Sequence, residues 1–355
     1  MHIGIVTSAL GAGGAERVIA LVSAHWAQSG HQVTLFTFDR PDDPIFHPLD
    51  PRVRLVRLGL PPGGAMAGTI RRIRALRAEL RRHRPDAVIS FLFKINVITL
   101  LAASGPGLPV AVSERNHPQL QPGHPAWRWL ARLSYPRARA ILLQTEASRS
   151  ALPPALHRRC HVIPNPVSGF ERVPESDGRK HLAAVGRLDA QKGFDHLIEA
   201  FARAAPAHPD WTLRIWGEGP LRPVLTAQIE HLGMAGRIEL PGLSDGPGGW
   251  IRDSAAFVMT SRYEGFPNAL AEAGIAGLPR IATRFRFGAE DLIEDEVDGL
   301  LVEAGNVPAL ASALDRLMGS RSLRDQLGAA ARDSGGRFRT DRILHLWDAI
   351  LPLMA

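Results

Sequence analysis

Two doubly wound, parallel-sheet α/β domains facing each other are what this 355-residue sequence predicts, and three observations carry that reading. Strand-length apolar runs alternate with amphipathic helical stretches in both halves, the pattern of repeated βα units. The alternation breaks once, at Pro164-Asn165-Pro166-Val167 and the polar stretch 175–180, and restarts at Leu182. The length is sufficient for two ordinary domains, each with its own core. The expected boundaries are a first domain over 1–166, a linker over 167–180, a second domain over 181–338 and a terminal helix over 339–355.

The first strand, residues 3–7, empties into Gly11-Ala12-Gly13-Gly14-Ala15-Glu16, and a helix with Val18, Leu21 and Val22 on its apolar face follows. This loop lacks the last glycine of the dinucleotide fingerprint, and no acidic residue closes the next strand at the expected place, so a dehydrogenase is disfavoured. Gly13 and Gly14 still suit close approach of backbone to a phosphate or sugar. Residues 31–37 and 53–56 read as the next strands. Residues 69–82 form a basic helix with Ile70, Ile73, Leu76 and Leu80 on one side. It is either an ordinary helix with a solvated arginine face or an element that lies on a membrane. The buried strand 86–92 delivers Lys94 and Asn96 to its carboxyl end, and the strand 109–113 runs into Glu114-Arg115-Asn116-His117-Pro118 at the same edge. Residues 127–133 carry Trp127, Trp129 and two arginines at helical spacing. Such a helix either sits in a bilayer interface or packs both tryptophans in the core. Residues 138–144 and 161–163 complete the first half.

In the second half, residues 183–185 lead into Gly186-Arg187-Leu188-Asp189-Ala190-Gln191-Lys192-Gly193, just before an amphipathic helix. Lysine occurs only at 94, 180 and 192 among 42 cationic residues. Lys192 at a loop-to-helix junction therefore reads as a compact charge for a phosphate, with Arg187 as a bidentate fork for the same diphosphate. Strands 211–216, 238–240, 255–259, 280–282 and 300–302 follow. Between 255–259 and 280–282, Glu264-Gly265-Phe266-Pro267-Asn268-Ala269-Leu270-Ala271-Glu272 spans a strand end and the start of a helix near Asn268, where crevices form in open α/β sheets. Free N–H groups of Phe266, Asn268, Ala269 and Leu270 would make an anion cradle there. The plain alternative is a Gly-Pro turn that caps a helix with two solvated glutamates. Residues 341–353 form a last amphipathic helix.

Taken together, Gly-Arg-Leu-x4-Lys-Gly, Glu-Gly-Phe-Pro-x4-Glu, Gly13-Gly14-Ala15-Glu16-Arg17 and Asp298-Gly299-Leu300-Leu301-Val302 resemble the retaining glycosyltransferases of family 4, and the likeness extends over most of the chain. The resemblance implies the GT-B architecture, two Rossmann-like domains around a central cleft, with the terminal helix packed back on the first domain. It implies a nucleotide-sugar donor, UDP-linked, bound by Gly13, Gly14, Arg187, Lys192, Glu264, Phe266, Pro267, Asn268, Ala269, Leu270 and Glu272. Glu272 would hold the ribose, Glu264 the donor sugar and residues 238–243 the edge of the base. Glu264, His117, Arg187 and Lys192 would be the catalytic set. Lys94, Asn96, Arg115 and Asn116 would face the acceptor, a lipid-linked or oligosaccharide chain of surface polysaccharide or lipopolysaccharide synthesis. The sequence departs from the commoner pattern after Thr283, where Arg284-Phe285-Arg286-Phe287 replaces smaller residues.

Composition bounds this reading. With 45% hydrophobic and 22% charged residues the chain is globular, and its single cysteine, Cys160, allows no internal disulfide and no cysteine cluster for zinc. No leader and no apolar run of membrane-spanning length is apparent, and a cytoplasmic protein is expected. Residues 1–165 hold 21 Arg and Lys against 9 Asp and Glu, which gives that half +12 and leaves −5 for the rest. The basic half would face an anionic partner, including an anionic membrane at its surface. A nucleic-acid binder is disfavoured, because the aromatics are not interleaved with a basic stripe. No Asp-x-Asp stands at a strand end, so neither metal nor cofactor is expected. An inactive nucleotide-sugar-binding partner and a GT-B sugar-nucleotide epimerase are the rival readings.

Overall fold

The computed structural model describes residues 1–60, 66–105, 107–115, 125–168, 180–246, 248–285 and 288–354. The chain divides into two compact units, Met1–Asn165 with Asp341–Ala355, and Pro166–Thr340. Each is a doubly wound sheet of parallel strands, the α/β class that the alternation of elements predicts.

The first unit holds seven strands, β1 (His2–Thr7), β2 (Gln32–Thr37), β3 (Arg54–Arg57), β4 (Ala87–Phe91), β5 (Val110–Ser113), β6 (Ala140–Leu143) and β7 (Cys160–Val162), in the order β3-β2-β1-β4-β5-β6-β7. Successive side chains of a strand point to opposite faces. Ile3, Ile5 and Ile89 therefore share one core with Val18, Val22 and Trp26 of α1 (Gly14–Gln28). The terminal helices α10 (Thr340–Asp348) and α11 (Leu351–Met354) complete that core with Ile343, Trp347 and Met354. Trp347 stacks on Phe91 at 5.6 Å and meets Trp26 edge-on at 6.1 Å, while Asp348 accepts from the Trp26 indole at 3.0 Å. On the opposite face Val6, Val88 and Val112 pack with α2 (Met66–His83), α3 (Phe93–Ala103) and α4 (Pro125–Ser134). The helix α2 turns Leu76 and Leu80 inward, and Arg77 caps the far end of α3 by donating to the carbonyls of Leu101 and Ala102. On α4 the tryptophans divide: Trp127 packs against the core, whereas Trp129 is 61% exposed.

The second unit holds β8 (Lys180–Val185), β9 (Trp211–Trp216), β10 (Ile238–Gly242), β11 (Ser254–Met259), β12 (Arg280–Arg284) and β13 (Leu300–Glu303), in the order β10-β9-β8-β11-β12-β13. Its helices are α5 (Phe194–Ala204), α6 (Arg222–His231), α7 (Asn268–Ile275), α8 (Val307–Gly319) and α9 (Arg321–Gly335). Leu182, Leu213 and Val258 pack with α5, α6 and α8 on one face, and Phe257 and Met259 pack with α7 on the other. In this sheet the winding reverses between β8 and β11; in the first it reverses between β1 and β4. Loops at the carboxyl side of such a reversal diverge and leave space for a ligand.

Candidate functional site

At the reversal of the second sheet, the loops that leave β8 and β11 are bound to each other. Residues Ala190–Lys192 form one tight turn, capped by the Asp189 carboxylate, which accepts from the Gln191 N–H at 3.0 Å. Gly193 ends that turn at φ +64°, and a Cβ on it would overlap the carbonyl oxygen of Thr260. Only glycine combines that conformation with so close an approach. From the other loop, Thr260 Oγ1 donates to the Lys192 carbonyl at 3.0 Å and the Arg262 N–H to the Gln191 carbonyl at 2.7 Å. Gln191 Nε2 answers by donating to the Tyr263 carbonyl at 2.9 Å, and Arg262 pairs with Asp195 at 2.8 Å.

This lacing brings Lys192 and Glu264, 72 positions apart, into one ion pair. Lys192 Nζ lies 2.6 Å from Glu264 Oε1, with side-chain exposures of 19% and 10%. Ser261 Oγ donates to the same oxygen at 2.7 Å. Gly186, at the end of β8, lets the lysine stem cross directly above it; a Cβ there would stand 2.8 Å from Lys192 Cε. Arg187 extends into solvent beside Asp189, with its Nε 3.3 Å from that carboxylate.

The helix α7 begins at Asn268, where the turn residues predict it, and carries the buried Glu272 about one turn in. The expected anion cradle is narrower than the sequence suggests. The Asn268 N–H donates to the Phe266 carbonyl and the Leu270 N–H to the Pro267 carbonyl, both at 3.0 Å, so these two are spent within the turn. Phe266 is buried edge-on against Phe338. Below, α7 is anchored by Arg280, fully buried and paired with Asp298 at 3.1 Å, whose guanidinium fills the space a Cβ on Gly274 would need. Burial pushes the Arg280 guanidinium down to about 10. Along β10, Ile238 is buried and Leu243 beyond its end is exposed.

In the first unit, Gly13 precedes α1, and the Glu16 carboxylate lies where a Cβ on Gly13 would be. The positive end of this helix thus already faces an acid of its own. Lys94 is exposed on α3, 5.9 Å above the Trp127 ring. Asn96, expected to face an acceptor, is instead fully buried. Its amide donates to the Ser113 carbonyl and to Glu114 Oε1, each at 3.1 Å, and its oxygen accepts from Ser90 at 2.8 Å. An interior polar group this well satisfied positions its neighbours and does not meet a ligand. Glu114 also accepts from the Tyr135 hydroxyl, and burial holds that phenol well above its ordinary value. Arg115 is buried too, donates to Asn165 at 2.6 Å, and is pushed down to about 9 by its burial. Asn116 and His117 lie outside the described residues, as do Arg286 and Phe287. Ser261 and Tyr135 are not singled out by the sequence, and Glu114 enters only within the strand-end stretch 114–118; the structure ties Ser261 to Glu264 and buries Glu114 and Tyr135 together with Asn96.

Comparison with known proteins agrees with this fold. The model for glycosyl transferases group 1 matches residues 170–334, and the glycosyl transferase 4-like domain matches residues 13–166. An exopolysaccharide phosphotransferase of Streptomyces coelicolor is 32% identical over 72% of this chain, which spans only 27% of that protein. A Campylobacter jejuni enzyme, the GalNAc-alpha-(1->4)-GalNAc-alpha-(1->3)-diNAcBac-PP-undecaprenol alpha-1,4-N-acetyl-D-galactosaminyltransferase, is 26% identical over 98% of this chain and 97% of its own. Among solved structures, Alr3699/HepE of Anabaena in complex with UDP superposes with a TM-score of 0.82 at 19% identity, over 99% of this chain and 100% of that one. With both halves matched by these models and the fold shared along the whole length, the chain belongs to the GT-B glycosyltransferases.

Proposed function

We propose that the chain transfers a hexose or N-acetylhexosamine, with retention of configuration, from a UDP-sugar to a lipid-linked or oligosaccharide acceptor in surface polysaccharide or lipopolysaccharide synthesis. The observation that carries this reading is the Lys192–Ser261–Glu264 cluster at the reversal of the second sheet, with Glu272 on the adjoining helix. The UDP bound to the Anabaena neighbour and the undecaprenyl-diphosphate acceptor in the Campylobacter enzyme's name favour this donor and acceptor class.

An ammonium has three donors, so Lys192 can keep one on Glu264 and turn the others to the diphosphate. Together with Arg187 it would stabilise the charge that grows on the leaving group, without a metal. Glu272 takes the ribose hydroxyls and Glu264 the sugar. The bond from the anomeric carbon to the diphosphate oxygen breaks, the acceptor oxygen bonds that carbon from the same face, and its proton passes to the departing phosphate. Glu264 as a covalent nucleophile is the less favoured route, and a glycosyl adduct trapped on it would reverse that preference. The exposed arginines of α2 and the exposed Trp129 and Leu133 of α4 favour contact with an anionic membrane on its cytoplasmic side. Among the described residues no helix is long and apolar enough to cross a membrane.

The test is release of UDP from UDP-glucose, UDP-galactose, UDP-N-acetylglucosamine and UDP-N-acetylgalactosamine in EDTA, with and without extracted lipid-linked glycans. Acceptor-dependent release from one donor is expected. Donor turnover without acceptor would favour an epimerase, and no binding or turnover of any donor would sink the proposal.

A further inference from the structure

The Glu264 carboxylate is held on one side only. Oε1 accepts from Lys192 Nζ and from Ser261 Oγ, whereas no hydrogen bond among the described residues reaches Oε2. The two donors differ in kind. Lys192 reaches Oε1 on a long stem, and on donor binding its remaining protons serve a diphosphate. Ser261 has a single side-chain rotor, is 1% exposed, and cannot follow a phosphate. Its backbone is also fastened, since its carbonyl accepts from Thr283 Oγ1 on β12 at 2.9 Å while the preceding Thr260 is tied to the Lys192 carbonyl. Without such a tether the terminal torsion of a glutamate is broad and nearly two-fold, so its oxygens exchange places easily.

We propose that Ser261 is a positioning residue of the donor-sugar site: it pins Oε1 so that Oε2 alone is offered to a sugar hydroxyl, and it thereby sets which epimer of the donor is accepted. The proposal rests on the reading of Glu264 as the sugar contact. An acceptor oxygen fixed in place rejects a sugar whose hydroxyl points elsewhere, because a buried polar group is then left unpaired. A carboxylate that swings tolerates both epimers.

The experiment compares wild type, Ser261→Ala and Ser261→Thr for UDP affinity and for kcat and KM with the preferred UDP-hexose and its 4-epimer. In Ser261→Ala the UDP affinity is expected to stay within about twofold, while kcat/KM for the preferred donor falls about 10–100-fold, the range for a lost charge-assisted hydrogen bond. The preference between epimers shrinks alongside, and Ser261→Thr restores most of it. In a Glu264→Ala background the same alanine substitution should add no more than about a twofold loss, because no side-chain oxygen remains for Ser261 to hold. Wild-type kinetics in Ser261→Ala, an unchanged epimer preference, a parallel fall in UDP affinity, or an equal cost in the Glu264→Ala background would each overturn the proposal. If Ser261→Ala does not fold, Thr283→Val frees the Ser261 carbonyl while it keeps the hydroxyl. A weakened epimer preference then supports the role, and an unchanged one rejects it. A wild-type protein that binds no UDP would instead refute the donor reading itself, and the role of Ser261 with it.

Discussion

Replacing Lys192 by methionine removes one partner of a largely buried ion pair and leaves Glu264 with a single donor. For a fully buried pair such a loss costs about 3–5 kcal/mol. Here Ser261 still donates to the carboxylate, and among the described residues no hydrogen bond reaches Oε2 that could be lost. The pair is also not sealed, with exposures of 19% and 10%, so a smaller cost of about 2 kcal/mol is expected. For a unit of this size that corresponds to a fall in the melting temperature of about 4–8 °C. Glu264→Gln keeps an oxygen acceptor for both donors and should cost about 1 kcal/mol. In the double variant neither charge is stranded, so the combined loss should fall short of the sum by about 1 kcal/mol. Calorimetric unfolding of the four proteins without nucleotide reads these quantities directly. Single losses that add without a shortfall, or a Lys192→Met protein as stable as wild type, would refute the ion pair as the organising contact of the site.

Other parts of the structure make their own predictions. Gly193→Ala forces φ +64° on a residue with a Cβ and pushes that atom into the Thr260 carbonyl. It should destabilise the second unit by about 1–3 kcal/mol and weaken nucleotide binding at the same time, measured by melting with and without UDP. Tyr135 ionises late because burial and the Glu114 carboxylate both disfavour the phenolate. Its folded pKa lies above the unfolded value, so the stability it contributes is complete below about pH 10 and is lost as the pH rises toward the folded value. With two tyrosines in the chain, a Tyr263→Phe protein leaves Tyr135 as the only absorbing phenol. Its titration at 295 nm should coincide with unfolding, and ionisation in the folded protein would contradict the placement. Asn96→Leu takes one donor from the buried Glu114 carboxylate and the acceptor from the Ser90 hydroxyl. A loss of about 2–4 kcal/mol in urea unfolding is expected.

Much of this architecture was legible in the residues. Apolar runs such as Ile3 to Thr7 and Phe257 to Met259 are buried on both faces and read as parallel strands without ambiguity. The helix start at Asn268 follows from the Gly-Phe-Pro turn before it. What the residues did not disclose is pairing across the fold. Lys192 and Glu264 looked like two separate contacts for a ligand, because nothing in either loop shows that Thr260, Gln191 and Arg262 lace the loops together. The donors of Asn268 and Leu270 looked free because turn geometry, not composition, decides whether a carbonyl folds back onto them. Asn96 looked like a crevice residue since it follows a strand end, yet α3 rotates it inward, where Glu114 and Tyr135 complete its hydrogen bonds. Polar residues at strand ends serve ligands or serve each other, and only the three-dimensional arrangement separates the two.

The central claim is that the laced loops beside β8 and β11 receive a nucleoside diphosphate through Lys192. Isothermal titration of UDP into the wild-type protein and into Lys192→Ala, both in EDTA, tests it most directly. The account predicts binding by wild type without metal and at least about a tenfold loss of affinity in the variant, the consequence of one missing charge-assisted contact. Equal affinity in the two proteins, or binding that appears only when a divalent cation is restored, would contradict it.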